Sequence, residues 1–152
     1  MKAITRGFLF AAGVFAMSAA ATAAGADDIA GVFKVVNGSV AVERKGATLP
    51  AAVGMAVYQS DQVVTGPDGS TGITFEDNSL LSLGPSSRMA VDRFSFNSTT
   101  HDGAFETTLS SGKLAVVSGK IAHHQLDAMK VKTPSTVLGV RGTKFLVAVG
   151  GS

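Results

Sequence analysis

Cysteine and tryptophan are absent from the 152-residue chain, tyrosine occurs once and proline four times. Without cysteine there is no disulfide framework, thiolate zinc site, iron–sulfur cluster, cysteine nucleophile or lipid-modified N-terminal cysteine. Charge is also sparse: 16% of residues are charged against 45% hydrophobic, which excludes a disordered charged tail. At this length one compact domain is expected. Long apolar runs are missing too, apart from Gly7 to Met17, which follows Lys2 and Arg6. That run leads into small residues from Ser18 to Ala26 and then Asp27-Asp28. A basic start, a short apolar stretch and A-x-A-like sites between Ala21 and Ala26 predict an export signal over residues 1–26. The stretch is short and rich in Ala and Gly beside the roughly 20 strongly apolar residues of a membrane span. A periplasmic or secreted protein with no stable membrane span after cleavage is the expectation.

Removing the signal also removes the basic surplus. Residues 27–152 hold eleven Lys and Arg against eleven Asp and Glu, which disfavours nucleic acid as a partner because phosphate binding draws on a large positive excess. The balance hides an asymmetry. Residues 27–112 carry five positive and ten negative side chains. Residues 113–152 carry six positive ones (Lys113, Lys120, Lys130, Lys132, Arg141, Lys144) and only Asp127. Interleaving of distant strands is expected to average this out; segregation would make a dipolar surface.

What is present reads as strand after strand. Gly31 to Val36 and Ser39 to Arg44 flank Asn37-Gly38, suited to a hairpin, and Lys45 to Pro50 reads as a linker. Asp61 to Thr65 is bounded by the turn cluster Gly66-Pro67-Asp68-Gly69, and Thr71–Glu76 and Leu80–Leu83 flank the hairpin candidate Asp77-Asn78. Ile73 and Phe75, Leu81 and Leu83, Met89 and Val91, and Phe94 and Phe96 each sit two apart and share a strand face. Phe105–Leu109 and Lys113–Val117 are read as two strands around a turn at Ser110-Ser111-Gly112. In Met129-Lys130-Val131-Lys132, Met129 and Val131 point inward and the lysines outward; Thr136–Val140 and Thr143–Val147 close the chain. His123 to Ala128 has helical leanings but is too short to count. About ten short strands in one domain over residues 27–152 argue an all-β sandwich, roll or short β-solenoid. Phe75, Phe96, Phe105 and Phe145 are expected in the core, Phe75 and Phe145 as equivalent buried anchors.

Signals for catalysis are thin. Ser110-Ser111-Gly112-Lys113 matches S-x-x-K but lies between strands rather than at a helix start, and Gly119-Lys120 lacks the rest of a phosphate loop. His101 and the adjacent His123-His124 read as exposed loop residues; Asp61, Asp77 and Asp92 fit no calcium loop. Neither a metal nor another cofactor is expected, and no enzyme.

The order of certain blocks is more telling. Gly38-Ser39-Val40, Asp61-Gln62-Val63-Val64-Thr65-Gly66, Gly72 to Ser79 and Leu83-Gly84-Pro85-Ser86-Ser87 are followed by Leu109 to Leu114, Val117 to Ala122, Val131 to Pro134 and Gly139 to Phe145. Each alone is weak. In this order, over residues 31–149, the chain resembles the extracytoplasmic FecR domain family. The resemblance implies an all-β regulatory or protein-binding module. In the family's best-known members it belongs to a sensor that spans the inner membrane and controls a sigma factor for iron uptake. Here six residues precede the apolar stretch and the chain ends soon after Phe145, so a stand-alone exported domain is expected instead.

Gly139 to Phe145 is the stretch with the most to offer. Gly142 permits a bulge or positive φ, Arg141 presents five fixed donors, and Gly139, Gly142, Thr143 and Phe145 read as a structural motif. Arg141 either closes the domain by bonding a neighbouring loop, the favoured reading, or faces a partner at an edge strand. The candidate binding residues are Lys130, Lys132, Arg141 and Lys144. The expected partner is another envelope protein, met by strand addition or by the Lys130/Lys132 face; a glycan or anionic polymer is the alternative.

Overall fold

The computed structural model describes residues 29–150, so the predicted signal over residues 1–26 lies outside the described residues. Twelve strands and one short helix follow in order: β1 (Ile29–Asn37), β2 (Val40–Arg44), β3 (Ala47–Pro50), β4 (Ala56–Tyr58), β5 (Gln62–Thr65), β6 (Ser70–Phe75), β7 (Leu80–Leu83), β8 (Arg88–Phe96), β9 (Gly103–Val117), α1 (Lys120–His124), β10 (Met129–Lys132), β11 (Val137–Val140) and β12 (Lys144–Val149). The fold is a mostly antiparallel all-β sandwich. Its first sheet runs β4-β1-β6-β7-β9-β12 and its second β3-β2-β5-β8-β9-β10-β11. The β9–β10 pair is parallel and every other pair antiparallel.

Strand β9 belongs to both sheets. Residues 103–111 pair with β8, and residues 112–117 pair with β12 while residues 114–117 also pair with β7. The turn expected at Ser110-Ser111-Gly112 is therefore a bend inside one strand. Gly112 sits there at φ +89°, and a Cβ added to it would lie 2.0 Å from Ser87 Oγ and 2.5 Å from Ser87 Cα. Side-chain-free backbone is what lets the strand turn from one layer into the other.

Three further sequence expectations change. Asn37-Gly38 is a corner, because β1 pairs in the first sheet and β2 in the second. The Lys45–Pro50 segment is no linker but holds edge strand β3, too short for its four residues to show alternation. The helix occupies Lys120–His124 rather than His123–Ala128; its position is fixed by the Asp77–Ser79 turn, a contact distant in sequence. There Ser79 Oγ donates to Asp77 Oδ2 (2.8 Å) and accepts from Gly119 N–H (2.9 Å), while Lys120 N–H donates to the Asp77 carbonyl (2.8 Å). Both Asp77 and Ser79 are fully buried, so their mutual bonds are what make that burial tolerable.

Alternation gives the core. Ile73, Phe75, Leu81, Leu83, Met89, Val91, Met129 and Val131 all turn inward and are buried. Phe75 of the first sheet meets Phe105 and Phe94 of the second at centroid distances of 4.5 and 5.6 Å, and Phe94 and Phe105 pack edge-on at 5.1 Å. These tilted contacts suit the ring quadrupoles and join the layers.

One side of the sandwich is stitched shut. Arg44 on β2 forms a two-pronged pair with buried Asp61, Nε to Oδ1 at 2.8 Å and Nη2 to Oδ2 at 2.6 Å. The same guanidinium donates to the Ala56 carbonyl of β4 at 3.1 Å and lies 4.6 Å from the Tyr58 ring centre. Because β2 and β4 belong to different sheets, this cluster links the layers. Asp61→Asn should remove the buried charge that Arg44 grips with two bonds and cost about 3 kcal/mol, read as a lower midpoint in denaturant unfolding.

Candidate functional site: the open side

The opposite side has no such closure. It is formed by β11, an edge of the second sheet, and β12, an edge of the first, joined by residues 141–143. Leu146 is 66% exposed, Val137 60% and Leu138 37%, and a shallow groove runs between the strands past Leu138, Val140, Thr143 and Phe145. Among the described residues each of these strands has a neighbour on one flank alone.

Which backbone groups are unpaired follows from the ladder. Ser118 N–H donates to the Thr143 carbonyl at 3.1 Å, and Gly84 N–H takes the Lys113 carbonyl on the other flank of β9. Antiparallel pairing alternates from there, so Phe145, Val147 and Val149 bond to β9. Lys144, Leu146 and Ala148 then direct both N–H and C=O away from it. On β11 the bond from Thr133 N–H to the Thr136 carbonyl sets the same alternation and leaves Val137 and Gly139 facing outward.

The linking loop is held firmly. Thr143 carbonyl oxygen accepts both N–H and Oγ–H of Ser118, and Gly142 adopts φ +61° with its would-be Cβ 2.8 Å from the His123 ring. Gly139 lies against Asp127, its would-be Cβ 3.0 Å from Oδ1. Arg141, between these anchors, is exposed and has no hydrogen-bond or ion-pair partner among the described residues. The favoured expectation that it bonds a neighbouring loop is not met, because backbone bonds and glycine packing already secure the loop. Phe145 is only partly buried and lines the groove, unlike fully buried Phe75.

The four candidate cations do not converge on one patch. Lys130 and Lys132 project from the outer face of the second sheet, where Lys132 Nζ is 3.8 Å from Glu106 Oε2. Lys144 projects from the outer face of the first sheet, and Arg141 caps the loop between them. Strands β10 and β12 both pair with β9, so the two halves of the chain meet there, and Lys132 lies beside Glu106 of the acidic half.

Sequence reasoning missed the exposed apolar edge. Val137, Leu138 and Leu146 look like core residues in one dimension, but Val137, opposite Lys132, and Leu146, alternating with buried Val147, face outward, and Leu138 stands beside an empty flank. The histidines behave similarly: His124 Nε2 lies 3.0 Å from Asp102 Oδ1, and the His101 and His124 rings are 6.3 Å apart. Among the described residues no group of three or more His, Cys, Asp or Glu is placed to hold a metal ion. Ser110 and Lys113 lie on β9 either side of its bend, away from the helix start that S-x-x-K chemistry requires.

The blocks whose order is informative are thus corner and turn chemistry: Asp61 in its ion pair, Asp77 and Ser79 at the helix, Ser87 against Gly112. Residues 61–152 match the family model described as FecR protein. The chain belongs to the FecR family. No curated protein and no solved structure matches it. The FecR match begins at β5, yet β1 pairs between β4 and β6, so the folded unit extends N-terminal of the matched segment. FecR domains are non-catalytic modules of the cell envelope, and among the described residues of this one no helix is long and apolar enough to cross a membrane.

Proposed function

We propose that residues 1–26 are an export signal and that residues 27–152 form a periplasmic or secreted FecR domain that binds another envelope protein through its open side. The observation that carries this reading is the pair of unpartnered edges, β11 and β12, with Val137, Leu138 and Leu146 exposed around a groove. Unpaired N–H and C=O groups beside apolar side chains are a template for a further strand, and soluble domains usually protect such edges. Arg141 and Lys144 border the apolar strip and add charge selectivity. A second reading, an anionic glycan or polymer on the Lys130/Lys132 face, draws on the outward projection of those lysines.

Photo-crosslinking in intact cells with probes at Leu146, Lys132 and Thr48 separates the readings. Strand-mediated protein binding predicts one adduct from Leu146, absent from Thr48 on the stitched side and retained at raised salt. Polymer binding predicts salt-sensitive adducts from Lys132. Equal, diffuse labelling at all three positions would sink the open-side proposal.

A further inference from the structure

We infer that the open side accepts an extended segment of a partner protein that carries acidic residues, added as a strand to β12 with apolar side chains over the groove. The inference rests on the reading just given and specifies its occupant.

Edge strand β12 is the better of the two hosts. It has six residues, no proline and only one charge, at its first position, whereas β11 has four residues. The edges on the stitched side are poorer still: β4 has three residues, and β3 has four and ends in Pro50, whose ring removes a donor. On β12 the outward-directed N–H and C=O groups of Lys144, Leu146 and Ala148 recur at alternate positions, the spacing an added strand needs. Cross-strand neighbours share a face, so a residue opposite Leu146 lies on the outer surface beside an isobutyl group that is 66% exposed. The flanking residues of the added strand point inward and cover Phe145 and Leu138. An apolar side chain therefore suits the face beside Leu146 or the face over the groove, and β-branched Val or Thr fits either.

Charge selects among extended partners. Arg141 and Lys144 stand at the start of β12 with no ion-pair partner among the described residues, and Asp127 is the sole acid from residue 113 onward. Lys132 is already near Glu106, whereas Arg141 and Lys144 stand beside the edge that an added strand would occupy. A second copy of this chain would bring like charge against like, whereas an acidic segment is attracted to the loop.

The test uses the protein produced from its full-length sequence and two synthetic ten-residue peptides that alternate Val and Thr, one flanked by Glu and the other by Lys. Binding of the Glu-flanked peptide should be tighter and should slow amide hydrogen exchange at Lys144, Leu146 and Ala148. Leu146→Pro removes one outward N–H that has no internal bond, and should weaken binding about tenfold. Lys144→Glu should erase the preference for the Glu-flanked peptide and leave the fold intact. Lys34→Glu, the same charge change on β1 with β6, β7 and β9 intervening, should preserve that preference.

Equal affinity for the two peptides, or protection that misses those three amides, would overturn the inference. Protection of the same amides without peptide, in a protein that sediments as a dimer, would assign the edge to a second copy instead. A specific crosslink from Leu146 combined with indifference to peptide charge would leave the open-side reading standing and remove only the acidic strand. Loss of both would remove the two together.

Discussion

Gly112→Ala is expected to be the most damaging single methyl group that can be added to this protein. At φ +89° an L-residue is strained by roughly 1–3 kcal/mol, and the new Cβ would collide with Ser87 at 2.0 Å from Oγ and 2.5 Å from Cα. Overpacking adds about 1–3 kcal/mol more, so a total near 4 kcal/mol is a large fraction of the stability of a small domain. Backbone shift cannot relieve the collision cheaply. Ser87 Oγ accepts the Lys113 N–H at 3.0 Å, and Ser87 N–H donates to buried Thr65 Oγ1 at 2.9 Å. Thr65 Oγ1 in turn donates to the Gly84 carbonyl at 2.7 Å. The substitution acts on the one strand shared by both sheets, so thermal unfolding should shift downward by more than 10 °C, by roughly 3–4 °C for each kcal/mol. A change of only a few degrees would mean that the bend does not hold the two layers together.

Phe75→Ala should cost about 3–5 kcal/mol, whereas Phe145→Ala should cost only about 1–2. Phe75 is 1% exposed and contacts two other rings from the opposite sheet, so its loss leaves a cavity that rigid strands cannot collapse around. Phe145 lies at the rim of the open groove, where water already reaches part of the ring and fills what truncation vacates. Denaturant midpoints for the two variants, measured beside the parent protein, check the difference. Equal losses would mean that the groove is closed in solution and that the open side is not available to a partner. For the same reason Phe145→Ala should weaken partner binding out of proportion to its effect on stability.

Much of the fold is legible in one dimension because a strand writes its burial at every second residue. Ile73 and Phe75, Leu81 and Leu83, and Met129 and Val131 declare their inward faces without any knowledge of the sheet. Turn chemistry is legible where it is local, as in the β6–β7 hairpin at Asp77-Asn78. It misleads where a glycine serves a contact distant in sequence. Gly112 looks like the tip of a hairpin but bends a continuous strand, and Asn37-Gly38 looks like another but carries the chain between layers.

The candidate site is legible to a lesser degree. The Gly139–Phe145 stretch stands out by composition, and Lys130, Lys132, Arg141 and Lys144 stand out by charge. Their division between two outer faces does not, since it depends on which sheet each strand joins.

The sequence by itself determined the all-β class, the inward faces of most strands, the absence of thiol chemistry and the family. These follow from composition, from the two-residue period and from blocks of local turn chemistry. Tertiary structure alone decided that β9 serves both layers, that Arg44 and Asp61 stitch one side, and that β11 and β12 leave the other open. Edge and centre positions of a sheet have the same local periodicity, and only the presence or absence of a neighbouring strand distinguishes them.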